Sequence, residues 1–205
     1  GNFTTVNGQA RNQVVMIDTS GTPAVADWTT DRYVPPCSRN SFPFYARDVD
    51  FDDEGDYFVI AADGGKPTDG AYCDAIARFE TADRGAVTAT WIDYTGTDSV
   101  TSLEAADGVV YVGGHFRWLN NANGNDSKGP GGVDRYGYGA LDANNGLPLA
   151  WNPGRSPGGN LPPGGTNWGP IVWEIWKGTS GVFAGQDSDG VGNEYHGRQA
   201  YFPMS

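Results

Sequence analysis

Tryptophan recurs in this 205-residue chain at one place in a repeat. Trp28, Trp91 and Trp151 stand 63 and 60 residues apart. The text before each of them is related. Gly1-Asn2-Phe3-Thr4-Thr5-Val6-Asn7-Gly8 leads through Arg11 and Val14 to Asp18 to Gly21 and Trp28. Gly113-Gly114-His115-Phe116-Arg117-Trp118 leads through Arg135, Gly139 to Asp142 and Gly146 to Trp151. A third copy runs from Gly185-Gln186-Asp187 through Arg198 to Phe202, and a more diverged one from Ile60 to Gly64 through Arg78 to Trp91. A period of this length is the mark of one supersecondary unit repeated, and it limits the folds open to the chain.

The best copy resolves into four short strands: Val100 to Ala105, Val109 to Val112, Tyr138 to Asp142 and Leu147 to Trp151. Asp107-Gly108 and Asn145-Gly146 mark tight hairpins, because both central residues of a type I′ turn need positive φ. Apolar spacing of the helical kind is nearly absent. With 31 Gly and 13 Pro the chain has turns to spare, and its 13% aromatic residues can pack between them. The expectation is an all-β fold: a β-propeller of four-stranded antiparallel blades with a repeat of about 60 residues. A β-sandwich or β-solenoid is the alternative. The blade parts are 1–30, 44–94, 98–153 and 170–205 of a single domain. The first lacks its opening strand and the last its closing strand, so both terminal blades are incomplete.

Connections between strands one and two are short, such as Asp52 to Gly55, and so are those between strands three and four. Connections between strands two and three are long: Asp63 to Cys73, His115 to Tyr136 and Asp187 to Gly197. So are those between blades, Thr29 to Tyr45 and Asn152 to Gly169. In a blade the two long classes leave from one face, and binding concentrates on such loops. Trp118, Tyr136, Trp168 and Tyr195 lie in them, near His115, Arg117 and Asp126. A flat ring covers the apolar face of a pyranose while polar neighbours bond its hydroxyls, so these are the candidate ligand-binding residues. Covering of loops explains the same aromatics without a ligand. Trp28, Trp91 and Trp151 read instead as packing residues.

The net charge of −12, with no basic run, argues against nucleic acid and anionic membranes. No apolar run approaches the ~18 residues of a spanning helix. No signal peptide is visible, and one would lie upstream of Gly1. Cys37 and Cys73 are expected to form a disulfide, as in an exported protein.

Catalytic patterns are sparse. His115 and His196 are the only histidines, and Gly178-Thr179-Ser180-Gly181 reads as a hairpin turn rather than a nucleophile elbow. Zinc patterns are missing. Asp187, Asp189 and Glu194 supply hard oxygens around Gly190 that suit calcium, though Asx-turns account for them equally. Asp126 with Asp134, or Asp187 with Glu194, are the carboxylate pairs a glycosidase would use.

The repeat resembles the secreted β-propeller repeat proteins of actinobacteria. The likeness is carried by Gly1 to Gly8, by Val112-Gly113-Gly114-His115-Phe116-Arg117-Trp118, and by Asn145-Gly146-Leu147-Pro148-Leu149-Ala150-Trp151-Asn152-Pro153-Gly154-Arg155. Gly192 to Arg198, followed by Phe202-Pro203, is similar to a closing blade. The resemblance implies export and association with carbohydrate-binding or adhesion modules, and it brings no catalytic residue. The expected function is an extracellular, non-catalytic, lectin-like or adhesive module. Its partner would be a glycan or cell-surface ligand, or other protein subunits. The alternatives are a secreted polysaccharide hydrolase or lyase and a protein-interaction scaffold.

Overall fold

The computed structural model describes residues 1–34, 37, 44–154, 171–192 and 194–204. Its regular structure is β throughout. Three antiparallel sheets follow one another along the chain. The first holds β1 (Ala46–Phe51), β2 (Tyr57–Ala62), β3 (Ala75–Glu80) and β4 (Trp91–Tyr94), in that spatial order. The second holds β5 (Val100–Ala106), β6 (Val109–Gly114) and β7 (Tyr138–Asp142). The third holds β8 (Val172–Gly178), β9 (Gly181–Gln186) and β10 (Gln199–Pro203).

The repeat expected from sequence is visible in backbone detail. Each leading strand, β1, β5 and β8, carries a register shift at the same place, after Ala46, Val100 and Val172. The residue before each third strand is left-handed: Asp74 at φ 45°, Gly137 at 74° and Arg198 at 68°. Gln13, at φ 66°, holds the same position in the first copy. Three of these four are not glycine, so the repeat geometry overrides their usual preference.

The copies differ in strand count. The fourth strand expected at Leu147 to Trp151 shrinks to one bridge, Leu141 to Pro148. Two backbone bonds flank it, from the Asp142 N–H to the Leu147 carbonyl and from the Leu149 N–H to the Ala140 carbonyl, at 2.9 and 2.8 Å. In the first copy the strands are two residues long: Thr5–Val6 with Gln9–Ala10, and Ile17–Asp18 with Ala24–Val25. Trp28–Thr29 then pairs in parallel with Gly85–Ala86.

The leading strands lie side by side and run the same way. Asp48 accepts a hydrogen bond from the Leu103 N–H and Asp50 from that of Ala105, both at 2.9 Å. One sheet further on, Thr101 donates to the Val172 carbonyl, Glu104 accepts from the Lys177 N–H, and Lys177 pairs with Asp107 at 2.8 Å. Partner numbers rise together, so β1, β5 and β8 are parallel. Acidic side chains of one leading strand thus occupy the free edge of the next, which would otherwise be open to another chain.

Apolar side chains fill the space between sheets. Val59, Ala61 and Ile76 meet Leu103, Val110, Val112 and Leu141. Tyr138 meets Val172, Ile175, Val182 and Ala184. Each fully buried valine, leucine or isoleucine among them contributes about 1.5–3 kcal/mol. The repeated tryptophans are the joints. Trp28 packs on Phe58 and Phe79 of the first sheet. Trp91 donates from its indole to the Ala143 carbonyl at 2.7 Å and lies on Gly146 in the second. Trp151 stands edge-on to Tyr111, Tyr138 and Phe202, touching the second and third sheets.

Candidate functional site at the long-loop end

Strand register decides where the long connections emerge. Ala46, Ala62, Ala75 and Tyr94 stand abreast at one end of the first sheet. Val100, Gly114 and Tyr138 do so in the second, and Val172, Gln186 and Gln199 in the third. The loops 63–74, 95–99, 115–137 and 187–198 therefore leave from the same end of parallel-stacked sheets.

Buried carboxylates hold these loops. Asp74 accepts from the N–H groups of Gly64 and Gly65, at 3.0 and 2.6 Å. Burial, the backbone bonds notwithstanding, pushes its pKa up to about 7. Asp63 accepts from the Tyr45 N–H at 2.9 Å and pairs with Arg47, and burial raises its pKa as well. Cys73 is joined to Cys37 in the same region, the disulfide expected from composition. Asp93, in β4, accepts from the Asn120 N–H with both oxygens, at 2.8 and 2.9 Å. Its burial lifts the pKa to about 8.

The longest insertion, 115–137, is folded by two side chains. Arg117 forms a fork with Asp98, 2.8 Å on each arm, and reaches Asp126 with the same guanidinium. Asn121 is fully buried; its amide donates to the carbonyls of Thr95 and Ser127 and accepts from the Gly129 N–H. A two-residue ladder, Trp118–Leu119 with Val133–Asp134, closes the loop. A matching ladder, Gly190–Val191 with Glu194–Tyr195, forms in the loop between β9 and β10.

The candidate ligand-binding residues separate into two groups. Tyr136 and Tyr195 are exposed, at 40% and 80%. Trp118 is half-buried with the Arg117 guanidinium 4.3 Å from its ring centre. Arg117 is bound to both Asp98 and Asp126 and so helps to shape the loop, while the Asp126 side chain stays exposed. His115 is half-buried, and its N–H donates to the Ser99 carbonyl at 2.9 Å. Trp168 lies outside the described residues.

The acidic candidates are occupied singly. Asp187 accepts from the Ile171 N–H at 2.7 Å. Asp189 pairs with Arg198 at 3.6 Å and Glu194 with His196 at 3.7 Å. Among the described residues no group of three His, Cys, Asp or Glu side chains is placed to hold a metal ion. Asp134 pairs with Lys128 at 2.7 Å. At the opposite, short-turn end a hollow is lined by Asp52, Glu54, Asp56, Tyr57, Arg78 and Asp107. Its arginine is committed to Glu80, to the Ala143 carbonyl and to the face of Tyr57.

Sequence reasoning passed over the anchors Asp63, Asp74, Asp93, Asp98 and Asn121. A signal existed for Asp63, Asp74 and Asp93: each is flanked by an apolar residue or cysteine at a strand end or inside a strand, where a carboxylate needs backbone donors. Comparison with protein families, with curated proteins and with solved structures finds no match to this chain.

Proposed function

We propose that this chain is an extracellular, non-catalytic binding module of the β-propeller kind, taking a glycan or other cell-surface ligand on its long-loop end. The observation that carries the reading is the pairing of a rigid base with outward aromatics. Loops 63–74 and 115–137 are tied down by buried carboxylates and an amide, while Tyr136 and Tyr195 stand out from loops at the same end. Ligand sites are commonly built this way, with display residues on loops and order supplied from beneath.

The parallel leading strands support the propeller part of the proposal, since blades meet radially through their innermost strands. So do the surfaces left bare. On the third sheet Trp176, Phe183 and Tyr201 are 59%, 44% and 42% exposed, on the face that in the first two sheets is covered by the next sheet. On β1, Val49 and Phe51 are about half exposed on the opposite side. Adjoining blades would cover both. The disulfide supports export. That Asp126, Asp134 and Asp189 each sit in an ion pair supports binding over hydrolysis.

A glycan array probed with the intact chain tests the reading. Binding to a defined set of glycans, lost in the Tyr136→Ala/Tyr195→Ala variant, is the expected result. Silence across chemically diverse glycans, or release of shortened saccharides from the bound ones, would overturn it.

A further inference from the structure

The chain contains three Asn-Gly pairs: Asn7-Gly8, Asn123-Gly124 and Asn145-Gly146. In such a pair the glycine nitrogen can attack the asparagine Cγ, because no Cβ hinders the approach. A C–N bond closes a five-membered succinimide, the glycine nitrogen gives its proton to a solvent base, and ammonia leaves. Water then opens the ring at either carbonyl and yields aspartate or isoaspartate. The step needs an available glycine N–H, a mobile asparagine side chain and a backbone that yields.

Two pairs are denied these conditions. The Gly146 N–H donates to the Asp142 carbonyl at 2.8 Å, and the Asn145 side chain accepts from the Leu147 N–H at 2.9 Å. Gly146 is also buried under Trp91, whose ring lies 2.6 Å from where a Cβ would stand. The Gly124 N–H donates to the Asn121 carbonyl at 2.9 Å, and Gly124 is buried in the loop that Asn121 organises. Asn7-Gly8 differs in every respect. Both residues are exposed, and nothing lies within 4 Å of a Cβ built on Gly8. Their φ values, 47° and 74°, make them the centre of a type I′ turn between Val6 and Gln9, which turns the second N–H to solvent. The flanking strands have two residues each, so the hairpin opens at small cost.

We propose that Asn7 is a site of intrinsic covalent modification, converted to aspartate and isoaspartate by its own backbone, and that the fold protects Asn123 and Asn145 from the same reaction. The product adds a negative charge at the hairpin tip, and isoaspartate lengthens the turn by one backbone carbon. The change stays local. Gln13, beyond the hairpin, is fixed by bonds to the Tyr33 carbonyl at 3.1 Å and the Ala46 N–H at 2.9 Å.

The test is to age the intact, disulfide-bonded chain in mildly alkaline buffer and follow each site by peptide mass mapping. Asn7 should convert about tenfold faster than Asn123 or Asn145, equivalent to ~1.4 kcal/mol in the cost of reaching the reactive geometry. A parallel incubation in concentrated urea should bring the three rates together, because the protection is structural. Conversion of Asn123 or Asn145 in the folded chain as fast as Asn7 would overturn the proposal. So would a preference for Asn7 that persists unchanged in urea.

Discussion

The most informative single residue is Asp93. It is fully enclosed in the first sheet, with the Asn120 N–H as its backbone donor, and burial raises its pKa from the ordinary carboxylate range to about 8. The folded chain therefore holds a proton that the unfolded chain releases near pH 4. Between those limits the folded state binds more protons, so stability falls as pH rises. Asp74 acts in the same sense up to about pH 7. Urea unfolding from pH 5.5 to 8.5 should show a declining stability. Asp93→Asn should flatten the slope and stabilise the protein at pH 8 by on the order of 2 kcal/mol. A stability that rises over that range would refute the assignment. The exposed aromatics behave differently. Tyr195→Ala should leave stability within about 0.5 kcal/mol of the parent in the same assay, since an 80% exposed side chain has little packing to lose. Trp91→Ala should cost ~3–5 kcal/mol, because it empties the joint between two sheets and frees the Ala143 carbonyl from its indole donor.

At the level of strands, the sheets are joined by side chains reaching backbone. Asp50→Ala should cost about 1–3 kcal/mol by leaving the Ala105 N–H without its acceptor, measured as a shift in the urea midpoint. Much of this level was legible in the sequence. The period marked by Trp28, Trp91 and Trp151 and the Asp-Gly and Asn-Gly turns located the strands of the second sheet within a residue or two, and Cys37 and Cys73 paired as composition suggested. What stayed hidden depends on distant partners. Nothing local in Ala46 to Phe51 announces that Asp48 and Asp50 bond residues some 55 positions away. The spacing of Asp187, Asp189 and Glu194 shows what type of ligand they are, whereas their partners, the Ile171 N–H, Arg198 and His196, are set by the fold. The expected strand at Leu147 to Trp151 is reduced to one bridge with two flanking backbone bonds, and nothing local in the sequence marks where its pairing stops.

For the whole molecule, parallel stacking sends loops 63–74, 115–137 and 187–198 to one end of the three sheets and the tight turns 52–56, 107–108 and 179–180 to the other. The two ends differ in chemistry. The tight-turn end is crowded with Asp52, Asp53, Glu54, Asp56 and Asp107, and Lys177 is paired with the last of these. The long-loop end buries Asp63, Asp74, Asp93 and Asp98 and shows Tyr136 and Tyr195. The proposed binding site lies at the second end, on loops held from below by buried carboxylates. The most direct test is an amide-resolved NMR titration of the intact chain with a glycan selected on the array. Shifts gathered on 115–137 and 187–198, with Tyr136 and Tyr195 among the largest, are the predicted result. Shifts centred on Asp52 to Asp56 and Asp107, with the long loops silent, would contradict it.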